Sequence, residues 1–359
     1  MIRVLLVDDS PSVRAVLRRF LARTGDISVV AEAADGAQAV QAVLDQLPQV
    51  VVMDLQMPVM DGYGAIERIM TLRPTPILVL SSRANRNQMR TAFEAIRRGA
   101  IEVLPKPEDT GSWEVLADSL PRTVRVVAAA RPRALPPPAR ARRGSGGPGA
   151  GTRPAKVASA AGARGGGGLR WVAIGASTGG PAAIRELLEE VPPEPPVSFL
   201  IVQHIAAGFE AAMAEWLNKE LPLDVRLARD AESPRRGAVR LAPAGAHLRL
   251  EAGGVLRLDA ETPARRGHRP SVDDLFRSCA ESFPSQSAGV LLTGMGADGV
   301  EGLAALRGAG ALTLVQDEAS SVVFGMPRVA LERGAAERAL PPRDLARALA
   351  QAWQRRSDD

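Results

Sequence analysis

Cysteine is nearly absent from this chain of 359 residues, in which Cys279 is the only one. A single cysteine cannot form a disulfide within the chain, and sequences without disulfides are typical of reducing compartments. We therefore expect a cytoplasmic protein in which Cys279 is a buried thiol with no catalytic role.

Long apolar runs are also missing. No stretch reaches the about 18 consecutive apolar residues that a membrane span requires. The first residues, "MIRVLLVDDS", contain an apolar run too short for a secretion signal and no small-residue cleavage site. We therefore expect no membrane insertion. Histidine is scarce as well, since the chain has only three, so a catalytic base has few candidates.

Positive charge is confined to one segment. The whole chain has a net charge of +5, and residues 123–168 contain nine basic and no acidic residues, so the remainder carries −4. A mildly acidic remainder without a basic recognition helix argues against nucleic-acid binding.

The same segment, 123–168, is rich in Pro, Gly, Ala and Arg, as in "RPRALPPPARARRGSGGPGAGTRPAK". It has too few large apolar side chains to offset the entropy of ordering. We interpret it as a flexible, solvated linker in preference to a tail that binds an anionic partner. It separates two predicted domains, residues 1–122 and 169–359.

Short apolar runs alternate with helical patterns in both parts. The first part has "IRVLLV", "QVVVM", "PILVLS" and "IEVL", and the second has "LRWVAIG", "VSFLIVQ", "AGVLLTG" and "ALTLVQ". This alternation predicts an α/β fold with two doubly wound, mostly parallel sheets. The insertion "HLRLEAGGVLRL" predicts a hairpin with a two-residue turn at its Gly-Gly pair.

Acidic residues follow the first two of these predicted strands. Asp8 and Asp9 come after "IRVLLV", and Asp54 comes after "VVVM". Carboxyl ends of parallel strands meet at one sheet edge, so the three acids should cluster there and would repel unless a cation joins them. Hard carboxylate ligands fit Mg²⁺. Ser81 and Lys106 follow further strands and complete a site suited to phosphoryl transfer.

This constellation resembles the response-regulator receiver domain over about the first 120 residues. The resemblance implies that Asp54 accepts a phosphoryl group from a sensor histidine kinase. It also implies that Asp8, Asp9 and Asp54 bind Mg²⁺ together with the backbone carbonyl of Gln56.

The resemblance assigns two further roles in the receiver. It implies that Ser81 is the switch hydroxyl and Lys106 the phosphate contact. Val103 departs from the pattern, because many receivers have an aromatic residue three positions before the lysine. Valine therefore stands here where those receivers have the aromatic residue of their switch.

A serine between glycines opens the second part. The stretch "AIGASTGGP" satisfies G-x-S-x-G with Ser177, directly after an apolar run. His204 ends "VSFLIVQH", and Asp298 follows "GVLLTGMGA" through a glycine-rich turn. Three strands would thus bring a hydroxyl, an imidazole and a carboxylate to one edge, as nucleophilic catalysis requires.

An α/β-hydrolase interpretation remains an alternative. It would use His268 as the base with Asp230 or Asp259. The polar stretch "ARRGHRPS" has no apolar strand to deliver that histidine, and the order Ser, His, Asp differs from the α/β-hydrolase order. We therefore favour the first set.

Several motifs of the second part resemble the chemotaxis protein-glutamate methylesterase domain, over about residues 170–350. They are "GASTGGP", "QHI", "APAGAHL", "HRPSVD", "LLTGMGADG" and "FGMPR". The resemblance implies the triad Ser177, His204 and Asp298, an oxyanion hole that includes the backbone N–H of Met295, and no cofactor for the esterase. It further implies hydrolysis of glutamyl methyl esters on chemoreceptor cytoplasmic domains, with glutamine deamidation in some members.

Two matters stay open at this level. Three arginines could contact an acidic receptor surface or serve only as solvated side chains; they are Arg265, Arg266 and Arg269. A rival hypothesis is a response regulator whose C-terminal half only binds a partner or DNA.

In the resembled family, the unphosphorylated receiver packs over the esterase cleft, and phosphorylation relieves the block.

Overall fold

The computed structural model describes residues 1–82, 86–107, 109–130, 132 and 168–355. Most of the predicted flexible linker lies outside these residues. Within the described part of the chain, no helix is both long enough and apolar enough to cross a membrane.

The first part of the chain forms a parallel sheet between helices. Its elements are β1 (Ile2–Val7), α1 (Pro11–Ala22), β2 (Ile27–Ala33), α2 (Gly36–Gln46), β3 (Val50–Asp54), α3 (Gly62–Leu72), β4 (Ile77–Ser82), α4 (Arg86–Arg97), β5 (Glu102–Lys106) and α5 (Thr110–Ala128). The strand order is β2-β1-β3-β4-β5, and every pair is parallel.

Side-chain alternation along β1 explains why helices cover both faces of this sheet. Val4 and Leu6 pack in a core with residues of α1 and α5. Leu5 and Val7 pack in a second core with residues of α2, α3 and α4. Successive strand side chains point to opposite faces, so a strand that is apolar throughout needs cover on both.

The second part forms a larger sheet. Its elements are β6 (Trp171–Ala176), α6 (Gly180–Glu189), β7 (Ser198–Gln203), α7 (Phe209–Glu220), β8 (Asp224–Leu227), β9 (Ala238–Leu241), β10 (His247–Glu251), β11 (Val255–Asp259), α8 (Val272–Ser282), β12 (Ser287–Leu291), α9 (Val300–Gly308), β13 (Leu312–Gln316), α10 (Met326–Glu332), β14 (Arg338–Leu340) and α11 (Pro342–Arg355). Seven strands lie in the order β14-β13-β12-β6-β7-β9-β8, all paired in parallel.

The predicted hairpin is present as β10 and β11, which form a separate antiparallel pair. Its turn differs from the prediction, because Glu251 pairs with Val255 and three residues lie between them. Gly253 and Gly254 both have positive φ, 84° and 80°, which glycine adopts without steric cost.

Other features also differ from the sequence expectation, in which the strands β8, β9 and β14 were missing. The pattern did not predict β2, an edge strand whose middle residues are only half-buried, so it lacks the continuous apolar run of a central strand. Helix α5 continues through Ala128, beyond the predicted linker start at residue 123. Val124 and Val127 on that extension are fully buried, which explains why the helix does not end earlier.

The two sheets and their helices share an apolar contact. The ring of Phe93 on α4 stacks on Trp216 of α7, with centroids 5.4 Å apart. Phe209 contacts Phe93 edge-on at 6.4 Å, and Val322 packs against the α1–α5 face of the first sheet. Large buried aromatic pairs of this kind contribute strongly to an interface, so the two parts are packed together.

A buried carboxyl group lies in the same interface. Glu102 begins β5, is 8% exposed, and accepts a hydrogen bond from the backbone N–H of Val103 at 3.1 Å, while the backbone N–H of Gly179 lies near enough to act on its pKa. Burial raises the pKa of Glu102 to about 7, although the N–H groups of Val103 and Gly179 act to lower it. Gly179 lies in the second part of the chain, so this carboxyl links the two parts.

The raised pKa of Glu102 predicts a specific pH dependence of stability. The folded protein holds this proton up to about pH 7, whereas the unfolded chain releases it near pH 4.5, so the free energy of unfolding should fall as pH rises between these values. Glu102→Gln should remove this fall in the free energy of unfolding, which amounts to at most about 3 kcal/mol. Denaturant unfolding at pH 5, 6, 7 and 8 measures the effect.

Glu114→Gln is the matched control, because Glu114 is exposed on α5. It should leave the pH dependence of the wild type unchanged. Identical pH profiles for wild type and Glu102→Gln would contradict the assignment.

Candidate active site

The acidic residues of the first sheet lie together at the carboxyl ends of β1 and β3. Oxygen atoms of Asp8, Asp9 and Asp54 lie within 4.8 Å of one another. The Lys106 ammonium bridges two of these carboxylates, with Nζ 2.7 Å from Asp8 Oδ2 and 2.6 Å from Asp54 Oδ2. Asp8 and Asp54 are buried, and Asp9 is exposed.

Burial and the lysine act in opposite directions on this cluster. Burial raises the pKa of Asp8 and outweighs the lowering by Lys106, while the nearby Asp54 raises it further. Burial alone would lower the pKa of Lys106, but hydrogen bonds to Asp54 and Asp8 raise it above its usual value. A buried carboxylate pair with one exposed acid beside it therefore has excess negative charge that a hard cation could balance.

A small cavity opens at this sheet edge. It has a volume of about 60 Å³, and Asp54, Gln56, Ser81 and Lys106 are among its lining residues. Ser81 is buried on β4, in register with Pro105 of β5. Val103 is buried within β5 and is not among the residues that line the cavity.

Parallel pairing of β6 and β7 places Ser177 beside His204. Ala176 is in register with Gln203, and the His204 N–H donates to the Ala176 carbonyl at 2.9 Å. The Gln203 amide donates to the carbonyls of both Ser177 (2.8 Å) and His204 (2.9 Å). The two loops that carry the hydroxyl and the imidazole are thus tied together through their backbones.

The imidazole of His204 contacts the third residue of the predicted set. Its Nε2 lies 2.9 Å from Asp298 Oδ2. A carboxylate can only accept, so Nε2 carries the proton and Nδ1 is the basic nitrogen. Nδ1 is buried and has no hydrogen-bond partner among the described residues. No hydrogen bond joins it to the Ser177 hydroxyl here, and such contacts commonly form only with substrate.

The start of α8 holds Asp298. The Ser271 hydroxyl donates to Oδ1 at 2.7 Å, and the Val272 N–H donates to Oδ2 at 2.8 Å. Burial tends to raise the pKa of Asp298, but these bonds and His204 lower it to about 2. Asp298 is therefore an anion at neutral pH, as a partner for a protonated imidazole must be.

The sequence analysis did not identify Ser271 as part of this site. The sequence contains a pattern that points to Ser271, because a serine directly before "VDD" is typical of a helix N-cap. The structure places Ser271 at the N-cap of α8 without a side-chain capping bond. The hydroxyl instead donates its hydrogen bond to Asp298.

Gly294 and Met295 pass close to Ser177. A Cβ on Gly294 would lie 2.6 Å from the Ser177 Cβ and 2.4 Å from the Met326 Sδ, so only glycine fits. The Gly294 carbonyl accepts from the Met326 N–H at 2.9 Å. Among the described residues, the Met295 N–H has no hydrogen-bond partner, and it is therefore available to a substrate oxygen.

The carboxylates of the alternative set do not contact His268. Asp230 accepts from Arg257 and from the Leu258 N–H. Asp259 accepts from Thr262, whose hydroxyl contributes most to lowering the pKa of Asp259. The structure thus does not bring His268 together with Asp230 or Asp259, as the α/β-hydrolase alternative requires.

The three arginines beside this site are engaged within the protein. Arg265 forms an ion pair with Asp274, and Arg266 pairs with Glu301. Arg269 donates to the carbonyls of Ala260 and Thr262.

Family models match both parts of the chain. A family model described as CheB methylesterase matches residues 172–349, and one described as response regulator receiver domain matches residues 4–114. A crystal structure of the CheB methylesterase catalytic domain of Thermotoga maritima is 34% identical, covering 51% of this chain and 98% of that chain with a TM-score of 0.49.

Relatives match over nearly the whole length. Protein-glutamate methylesterase/protein-glutamine glutaminase 2 of Anaeromyxobacter dehalogenans is 43% identical over 97% of this chain and 96% of its own. Protein-glutamate methylesterase/protein-glutamine glutaminase 4 of Geobacter metallireducens is 41% identical over 97% of this chain and 98% of its own. With a receiver sheet followed by a sheet that carries the Ser177 loop, the chain belongs to the CheB methylesterase family.

Proposed function

We propose that this chain hydrolyses methyl esters of glutamate side chains on chemoreceptors, under control of receiver phosphorylation, in chemosensory adaptation. The observation that carries the proposal is the placement of Ser177 beside His204, with His204 Nε2 on the buried Asp298 carboxylate. The names of the full-length relatives support the substrate class.

Acylation uses four groups of the site. The Ser177 oxygen attacks the ester carbonyl carbon, and His204 takes the hydroxyl proton at Nδ1. The N–H of Met295 donates to the oxyanion that forms. Asp298 stabilises the imidazolium, which then returns the proton to the leaving methoxide, so methanol departs and an acyl-serine remains.

Deacylation repeats these steps with water. His204 removes a proton from water, the hydroxide attacks the acyl-serine, and the proton returns to the Ser177 oxygen as glutamate is released. A glutamine side chain would react in the same way and release ammonia. Deamidation is therefore within the chemistry of the site, as the names of the relatives indicate for those proteins.

The receiver cluster would accept the regulatory phosphoryl group on Asp54. Asp8, Asp9 and Asp54 supply the oxygen ligands that Mg²⁺ prefers, and the bound ion would neutralise charge on the transferred group. Lys106 already forms an ion pair with Asp54, and it would form an ion pair with a phosphoryl oxygen as well. Ser81 lines the same cavity and would donate a hydrogen bond to that group.

Strand β5 connects this cluster to the esterase. Lys106 lies at one end of β5 and contacts Asp54, while Glu102 at the other end contacts the Gly179 N–H. Gly179 is two residues beyond Ser177. The new charge on Asp54 would draw Lys106 and shift β5, and thereby release the loop that carries Ser177.

The partners and location follow from this function. The substrate is the cytoplasmic domain of a methyl-accepting chemoreceptor, and the phosphodonor is a sensor histidine kinase, so the protein acts in the cytoplasm. The sequence predicted a receiver at 1–122, a linker at 123–168 and an esterase at 169–359. Because α5 extends to Ala128, we place the end of the receiver at residue 128 and the start of the linker after it.

Ser177→Ala tests the hydrolase assignment. Without the nucleophile, no acyl-enzyme forms, so methanol release should fall about 10³-fold or more. The measurement is methanol released from a methylated chemoreceptor cytoplasmic fragment by the full-length chain.

Ser282→Ala is a matched control, because its hydroxyl bonds the Leu250 carbonyl away from the site, and it should retain wild-type release. Equal release by wild type and Ser177→Ala would favour a response regulator whose C-terminal half only binds a partner.

Asp54→Ala tests the regulatory assignment. Wild type should release methanol about 5- to 150-fold faster with a small phosphodonor and Mg²⁺ than without them. In Asp54→Ala this ratio should fall to about 1, because the acceptor oxygen is gone. Asp45→Ala, on the exposed side of α2, should activate normally. Full activation of Asp54→Ala would refute the role of Asp54.

A further inference from the structure

A second imidazole lies flat against the proposed catalytic base. The rings of His204 and His268 have centroids 3.7 Å apart and planes within 1° of each other. Both side chains line a cavity of about 240 Å³ together with Glu210 and Arg269. His268 belongs to "HRPSVD", in which Ser271 and Val272 hold Asp298, but neither the triad nor the oxyanion hole assigns a chemical role to His268 itself.

We propose, on the basis of the proposed esterase function, that His268 is a positioning residue that fixes the plane of the His204 imidazole. The His204 ring is held at only one nitrogen, since Nε2 bonds Asp298 and Nδ1 has no partner among the described residues. The torsion about the Cβ–Cγ bond of histidine has a broad range of allowed angles. One hydrogen bond therefore leaves the ring able to rotate, which would change the direction in which Nδ1 points, and we infer that the stacked ring of His268 blocks this rotation.

The loop that carries His268 is itself fixed. Arg265 and His268 exchange backbone hydrogen bonds of 3.0 and 2.8 Å. Three residues later, the Ser271 hydroxyl and the Val272 N–H hold Asp298. One short segment thus contacts both the base and its carboxylate partner, so the two are positioned as a unit.

The charge state of His268 suits this role. Burial lowers the pKa of His268, and the neighbouring His204 lowers it further, against a smaller opposing effect of Asp298. A neutral ring offers its aromatic face to the imidazolium that forms when His204 accepts the serine proton, and this contact is attractive. A second positive charge at this distance would oppose that proton transfer.

Replacement of His268 by Ala and by Phe separates ring stacking from other roles. His268→Ala removes the ring and should lower kcat for methanol release about 10- to 100-fold, as expected for a misplaced catalytic group, with KM within about 2-fold of wild type. His268→Phe keeps a flat neutral ring and should restore kcat to within about 3-fold of wild type.

The assay uses the full-length chain and the methylated chemoreceptor cytoplasmic fragment. Glu261→Ala is the matched control, because Glu261 lies in the same loop with an exposed side chain, and its kcat should equal that of wild type. The midpoint of denaturant unfolding is measured for each variant, which identifies any loss of folding.

Three results would overturn the proposal. Wild-type kcat in His268→Ala would show that the stack is dispensable. Equally low kcat in the Ala and Phe variants would show that ring stacking is not what matters. A change confined to KM would assign His268 to substrate binding. Failure of the esterase assignment itself is recognised separately, because wild type and Ser177→Ala would then release methanol equally, and that result overturns both.

Discussion

The buried carboxylate of Asp298 is the contact on which the esterase half depends. It is 2% exposed and accepts hydrogen bonds from the His204 ring, the Ser271 hydroxyl and the Val272 N–H. An unpaired anion in that position would be very costly, so its donors must stay in place. Because those donors come from the residue after β7 and from the start of α8, holding the carboxylate also fixes the two elements relative to each other.

Both halves use the same edge geometry for different chemistry. In each sheet, parallel strands end together and bring distant polar residues to one place. In the receiver, three carboxylates cluster and two of them contact a lysine ammonium, which leaves the negative charge that a divalent cation balances. In the esterase, a single carboxylate is surrounded by donors and faces an imidazole, which suits proton transfer. The chemistry of the two sites differs because their surrounding charges differ, although their fold class is the same.

Strand β5 is the physical link between the halves. Its last residue, Lys106, bonds Asp54, and its first, Glu102, contacts Gly179 in the Ser177 loop. The Phe93–Trp216 stack adds apolar contact nearby. In the proposed regulation, a change of charge at one end of this five-residue strand would reach the loop at the other end without a long chain of intermediates.

The sequence alone determined the two α/β halves, because apolar runs alternating with amphipathic stretches permit few other folds. It also placed Asp8, Asp54, Ser177 and His204 at strand ends, since strand limits are visible in the pattern. Tertiary structure decided which loops meet. The stack of His268 on His204 and the contact of Glu102 with Gly179 join residues of loops and edges far apart in the chain, where no local periodicity records a partner. Such contacts depend on how whole elements pack, and only the folded chain defines that packing.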